Sequence, residues 1–255
     1  MACFDTAFHA TLPAAAATYA VPAAWRERWG VRRYGFHGLS HAYAARRAAE
    51  LTGRDTLRVV TCHLGAGASL AAVRDGSSVD TSMGFTPLEG LVMATRSGSV
   101  DPGLVLWLLE HERLTEAELA AALEHDSGLL ALAGTADMRE VLRRRAAGDE
   151  AARLAIDVYL HRLRAGIAAM AAALNGLDAL VFTGGVGERS APVRREACRG
   201  LEFLGVELDE QADAGTAVDA DVTAAGAGVS VLVVAAREDL EIARQVREVL
   251  DPGRG

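Results

Sequence analysis

The chain has 255 residues, a formal net charge of -8, and a composition that is 51% hydrophobic and 24% charged. That length suits one large domain or two small ones, and a compact chain of this size folds without disulfides or metal. The negative balance disfavours nucleic acid and anionic membranes as partners, so an anionic substrate must be held by local groups rather than by the global field.

Every basic residue is arginine and none is lysine, which excludes a phosphate loop built on a lysine and any lysine Schiff base. Cys3, Cys62 and Cys198 have neither zinc nor redox spacing and read as buried thiols of a reducing compartment. No 18-residue apolar run free of charge is present, so no membrane span is expected. The Ala-rich stretch Pro13 to Ala24 lacks a basic leader, with Asp5 and His9 before it, and is not read as a signal peptide. The expected setting is the cytoplasm.

In chain order, the Ala-rich segments predict helices. Leu57 to Cys62 predicts a buried strand, and Ser69 to Val73 with Ser78 to Ser82 predicts a hairpin across Asp75-Gly76. Asp101-Pro102 opens a helix to about Glu110, with Asp as N-cap and Pro at the first helical position. Thr115 to Glu124 starts close to a capping box. Asp137 to Ala147 and Asp149 to Leu174 continue as helices, the second closed by Asn175-Gly176. Leu177 to Thr183 predicts a second buried strand, Ser190 caps a helix to about Arg199, Val229 to Ala235 predicts a third strand, and Glu238 to Leu250 a closing helix. Apolar strands separated by long helices imply a layered α/β domain. The closing helix carries Leu240, Ile242, Ala243, Val246, Val249 and Leu250 on one stripe, which calls for a partner surface.

Two strand-to-glycine turns carry the first chemical signal, Cys62 to Gly67 (CHLGAG) and Thr183 to Glu188 (TGGVGE). Glycine lets backbone N–H groups approach an anion. Neither is G-x-G-x-x-G, which disfavours a dinucleotide site. One such turn says little; two after buried strands point to phosphate. Asp80 to Pro102 (DTSMGFTPLEGLVMATRSGSVDP) reads as ordered loop. Within it, Arg96 is flanked by small residues that let a guanidinium reach a transferring phosphoryl group, although taken alone it reads as a solvated or ion-paired loop residue. His37, in YGFHGLSH before a helix, suits anion contact; taken alone it reads as a hydrogen-bonded structural histidine. Asp5, in the apolar run FDTAFH, needs a partner such as arginine or a metal ion. Glu238 is a second candidate magnesium-side carboxylate, or simply a charge favoured at a helix start.

Together FDTAFH, RRYGFHGLSH, TCHLGAGAS, VDTSMGFTPLEGLVMATRSG, VFTGGVGE and REDLEIA resemble the acetokinase family, the acetate kinases, in the family's own order from Phe4 to Ala243. The resemblance implies an actin/sugar-kinase/heat-shock ATPase-like (ribonuclease H-like) α/β fold, a mixed sheet flanked by helices. It implies transfer of the ATP γ-phosphoryl group to acetate, giving acetyl phosphate and ADP, with Mg²⁺ or Mn²⁺. Residue by residue, Asp5 matches the catalytic aspartate near the metal and acyl group, His37 and Arg96 the transition-state groups, and Glu238 the metal-linked glutamate. His63, Leu64, Gly65, Ala66 and Gly67, then Asp137, Met138 and Arg139, then Gly184, Gly185, Val186, Gly187 and Glu188 match nucleotide-binding segments. Phe36 and Pro87 match walls of the small acyl pocket. The family begins with an N-terminal domain, so the expectation is a C-terminal lobe over residues 1–236 and a closing helix over 237–255 that packs on that other domain, with a separate N-terminal half as a candidate partner. A homodimer is implied in the same way. Ala66, Arg189 and Arg237 replace family asparagines, and Asp239 replaces a glutamate. The alternatives are a truncated, impaired nucleotide-binding fragment, one half of a split kinase, or propionate or butyrate as substrate.

Overall fold

Polarity patterns along the chain become the elements of a computed structural model that describes residues 2–215 and 218–250. A 3-10 turn at Ala7–Thr11 precedes the helices α1 (Ala14–Ala17), α2 (Ala23–Trp29) and α3 (Gly38–Thr52). Strands β1 (Arg58–Leu64), β2 (Ala68–Arg74) and β3 (Ser77–Thr81) then form a meander. Next come α4 (Pro102–His111), α5 (Glu116–His125), α6 (Gly128–Ala133), α7 (Met138–Ala146) and α8 (Glu150–Leu174). The chain continues through β4 (Ala179–Thr183), α9 (Gly184–Arg189), α10 (Ala191–Cys198), α11 (Glu210–Ala214), β5 (Ala220–Asp221), β6 (Ser230–Val233) and α12 (Glu238–Leu250).

Local chemistry sets most boundaries. Asp101, Asp137 and Asp149 accept backbone N–H groups at the starts of α4, α7 and α8, and Thr115 with Glu118 closes a full capping box on α5. Asn175 ends α8 in the left-handed region, and Asp75-Gly76 makes the hairpin with φ of 49° and 78°. Two expectations need correction. The GGVGE segment, expected as a glycine turn, is the helix α9, which Gly184 enters from β4 at φ 76°. Ser190 therefore does not cap α10 with its side chain; its N–H closes α9 on the Val186 carbonyl, and its buried Oγ has no hydrogen-bond partner among the described residues.

The sheet has the order β3-β2-β1-β4-β6-β5. Strand β1 runs antiparallel to β2 and parallel to β4, while β4 and β6 are parallel and β5 is antiparallel. The expected mixed sheet flanked by helices is therefore present. Alternation along the strands builds two cores. Val60, Cys62, Leu64, Leu70, Leu180 and Phe182 face α8, whereas Val59, Val73, Ala179, Val181 and Leu232 face α3. Cys62 and Cys198 are buried as expected, and Cys3 is partly exposed.

The closing helix packs on α3 through an unexpected residue. Glu241 is 0% exposed and is held by Arg46 at 3.1 Å and Arg244 at 2.6 Å. The apolar residues Leu240, Ile242, Val249 and Leu250 face outward. Residues 251–255 of the expected closing segment lie outside the described residues.

Candidate active site

The odd-numbered residues of β1 and β2 on the α3 face are not all apolar. Thr61 and His63 on β1, and Ser69 opposite His63 on β2, replace aliphatic side chains toward the C-terminal end of β1. The first turn of α3 covers them, and its own polar groups meet them there. His37 Nδ1 lies 2.9 Å from Ser69 Oγ, and Ser40 Oγ lies 2.8 Å from His63 Nδ1. The two imidazoles stack with centroids 4.2 Å apart, each pinned by a serine at Nδ1, leaving Nε2 of each facing the glycine turn.

Asp5 organises the entry to α3. Its carboxylate accepts the backbone N–H of His37 at 2.6 Å and of Leu39 at 3.3 Å. A Cβ on Gly38 would lie 2.0 Å from the Asp5 carbonyl oxygen, so only glycine fits between these segments. His37 itself adopts the left-handed conformation at φ 55°, an unusual state for a non-glycine residue that this packing holds in place.

Arg96 arrives from the long loop between β3 and α4. Its Nη1 donates to the Pro87 carbonyl at 3.2 Å and contacts Met93 Sδ at 3.7 Å, and it forms no ion pair among the described residues. The position a Cβ would take on Gly67 lies 3.3 Å from His37 Nε2 and 3.5 Å from Arg96 Nη1. Imidazole, guanidinium and the bare backbone of the first glycine turn thus converge on one point. Loop geometry nearby is secured by Glu89, which accepts from Arg33 at 2.7 Å and Tyr19 at 2.5 Å.

A cavity of about 580 Å³ opens beside this point. It brings together Gly65 and Ala66 of the first turn, Asp137, Met138 and Arg139 before and in α7, and Gly185 and Val186 of the second turn. Arg189, Ser190 and Tyr159 complete it. Asp137 and Arg139 pair with each other at 2.7 Å on the rim. Not every expected residue reaches open space. Leu64, Gly184 and Gly187 are buried, and Gly184 packs so closely on Leu64 that a Cβ would meet its backbone at 2.9 Å. The Glu188 carboxylate accepts the Ala236 N–H at 2.9 Å, tying the second turn to the segment before α12. Phe36 packs on the core, and its carbonyl receives His9 Nε2 at 3.1 Å.

Burial dominates the electrostatics. It lowers the pKa of His63 to about 3 and of His9 to about 4, and pushes His41 well below its usual value. His37 is also lowered, first by burial; Asp5 opposes the shift and Arg96 adds to it. Burial and then the Asp5 charge raise the Glu238 carboxyl. Among the described residues no group of three or more His, Cys, Asp or Glu could hold a metal ion alone. Two carboxylates, completed by water and phosphate oxygens, are the donor set that suits Mg²⁺.

Sequence reasoning missed Ser40, His41, Thr61, Ser69 and the buried pair Arg194–Asp213, 2.6 Å apart. The available signal was the polar side chain at every second position of an otherwise buried strand, Thr61 and His63.

Among known proteins, the chain is 54% identical over 248 residues to an acetate kinase of Gloeobacter violaceus, covering 96% of this chain and 61% of that protein. It is 51% identical over 253 residues to an acetate kinase of Nostoc punctiforme, covering 98% and 62%. The fold superposes on the crystal structure of Porphyromonas gingivalis acetate kinase with a TM-score of 0.92 at 41% identity, covering 97% of this chain and 63% of that one. A propionate kinase from Francisella tularensis gives a TM-score of 0.90 at 40% identity, covering 95% and 62%. The chain therefore spans about three-fifths of the length of the relatives it matches. No helix among the described residues is long and apolar enough to cross a membrane. The Acetokinase family model matches residues 1–244, and with these relatives it shows that the chain belongs to the acetokinase family.

Proposed function

We propose that this chain supplies the nucleotide and phosphoryl-transfer side of an acetate-kinase-type phosphotransferase, moving the ATP γ-phosphoryl group to a short carboxylate and back from the acyl phosphate to ADP. The observation that carries this reading is the convergence of His37 Nε2 and Arg96 Nη1 within 3.5 Å of one point above Gly67. A carboxylate is already a nucleophile and needs no strong base, so alignment and charge neutralisation are the main tasks of catalysis. Among the described residues Arg96 has no carboxylate partner, and it is suited to grip equatorial phosphoryl oxygens. His37 stands against the same group through Nε2. The cavity bounded by Ala66, Asp137 to Arg139 and Gly185 to Val186 receives the nucleoside. Asp5 and Glu238 would hold Mg²⁺ or Mn²⁺, which when bound neutralises phosphate charge; Asp5 positions rather than removes a proton. Phe36 and Pro87 are proposed as acyl-pocket walls, and the Pro87 carbonyl already links one wall to Arg96.

In this reading residues 1–236 form one lobe, and the outward stripe of α12, within 237–255, meets the other lobe. The proposed homodimer has exposed apolar surface available at Leu104, Leu106 and Trp107 of α4, and light scattering checks it. A cytoplasmic setting provides ATP and reduced thiols.

The test is acyl phosphate formation from ATP with acetate, propionate or butyrate, by the chain alone and with the remaining segment of a relative supplied separately. Acetate turnover in the complemented sample is expected, and none at all defeats the reading. A second reading, nucleotide binding without transfer, is favoured by the Ala66 and Arg189 departures at the cavity. ADP binding without turnover in the complemented sample would establish it.

A further inference from the structure

Two stretches of chain carry the residues assigned to the acyl pocket, and one carboxylate ties them together. Phe36 lies in the segment Arg33 to His37, and Pro87 in the loop Ser82 to Arg96. Their backbones join at Gly84, whose carbonyl accepts the Tyr34 and Gly35 N–H groups at 3.0 and 3.3 Å. Glu89, within the loop, reinforces that joint. One of its oxygens accepts from Arg33 Nη2 at 2.7 Å and the other from the Tyr19 hydroxyl at 2.5 Å. Arg33 Nη1 donates further to the Met83 carbonyl at 3.0 Å, and the Tyr19 oxygen accepts the Phe85 N–H at 3.0 Å. The Arg33 guanidinium also lies over the Tyr19 ring, 5.4 Å from its centroid. A Cβ on Gly84 would lie 1.8 Å from Glu89 Oε2 and 2.1 Å from the Tyr19 oxygen, so the loop backbone is gripped at contact distance.

The grip has two outputs. Pro87 sits in the turn from Phe85 to Glu89, and the Tyr19 hydroxyl closes that turn by bonding both ends. The Pro87 carbonyl in turn receives Arg96 Nη1. Phe36 lies three residues beyond Arg33, with its carbonyl held from the other side by His9 Nε2. Arg33, Tyr19 and Glu89 line no part of the nucleotide cavity. A small apolar pocket discriminates one methylene by about 10- to 200-fold, and only as well as its walls are held apart at a fixed distance. We infer that Glu89, with Arg33 and Tyr19, forms a positioning clamp that sets the separation of Phe36 and Pro87 and thereby selects the length of the acyl group. This rests on the reading of Phe36 and Pro87 as acyl-pocket walls.

Two variants open the clamp and leave Phe36, Pro87 and the nucleotide cavity in place. Glu89→Gln keeps the size and removes the charge that holds Arg33; Tyr19→Phe removes the hydroxyl that closes the turn. Amide hydrogen exchange of the chain itself reports the clamp without turnover. The Tyr34, Gly35 and Phe85 amides are expected to exchange about tenfold faster in both variants, with the β1–β2 amides unchanged. In the transfer assay, with the remaining segment of a relative supplied, the ratio of kcat/KM for propionate to that for acetate should rise about tenfold. The change should lie in KM for the acid, with KM for ATP held within about twofold. A clamp that served stability alone would lower Tm and scale both acids alike. Unchanged exchange in the folded variants, or faster exchange with an unchanged acid ratio, overturns the inference. A wild-type sample inert toward every acid instead refutes the kinase reading and the pocket role with it, while the exchange rates still decide whether the clamp exists.

Discussion

The two glycine turns of the site are held in place by opposite electrostatic means. The turn after β1 rests on neutral groups, with the stacked imidazoles of His37 and His63 pinned by Ser69 and Ser40. The turn after β4 rests on full charges. Arg194, 2% exposed, donates to the Gly187 and Glu188 carbonyls, both at 2.8 Å, and pairs with Asp213. A neutral hydrogen bond that loses one partner leaves an unmet polar group, whereas a buried ion pair that loses one partner leaves an uncompensated charge. The first turn therefore tolerates the loss of a supporting partner better than the second. Gly184, packed on the Leu64 backbone, forces the two to share one geometry.

Breaking the charged support gives the largest expected effect. Arg194→Met strands Asp213 and frees the carbonyls at the end of α9, and is expected to cost about 3–5 kcal/mol of stability. Urea unfolding measures it. Adding Asp213→Leu should recover part of the loss, and a double variant no better than the single would refute the account of the clamp.

Arg96→Ala tests the other turn. It is expected to lower kcat about a hundred- to a thousandfold while ADP affinity stays near its original value, as read by calorimetry and acyl phosphate assay. Arg96→Lys should rescue little, because one ammonium cannot reproduce the planar fork.

Acid should unfold the protein through the first turn's surroundings. The folded pKa of His9 is about 4 and that of His63 about 3, both below the ordinary 6.5. Between 6.5 and those values the unfolded chain binds protons that the folded chain does not, so stability falls as pH falls. The slope is about 1.4 kcal/mol per pH unit for each such histidine, and the losses level off below the folded values. Urea midpoints at pH 7, 6 and 5 check the sign; a midpoint independent of pH would contradict buried neutral rings.

The smallest effect concerns the cavity edge. Ala66→Asn restores an amide beside the nucleotide space and should lower KM for ATP by up to about tenfold, the worth of one hydrogen bond. An unchanged KM in steady-state assays would mean that position 66 does not face the bound nucleotide.

The fold was legible in the chain where local rules operate. The hairpin at Asp75-Gly76, the caps at Asp101 and Thr115, and the Asn175 stop all stand within a few residues of their expected places, since each depends on neighbours in sequence. Strand β4 and the glycine turn after it were also visible, yet the turn proved to be helical once Gly184 had redirected the chain. The convergence of Asp5, His37 and Arg96 was legible only through the family resemblance, because no spacing rule joins residues so far apart.

What the sequence determined alone was most of the longer elements and the chemical kinds available: arginine as the only strong cation, paired glycine turns, and a carboxylate at each end. Tertiary structure decided which of these meet. The alternation of β1 turns Thr61 and His63 toward α3, and the register with β2 sets Ser69 opposite His63. The crossing of α3 then brings His37 and His41 down on them. A polar side chain in a buried strand must find its partner across the sheet or from the covering helix. That partner is chosen by register and packing angle, quantities that arise only when distant segments close on each other.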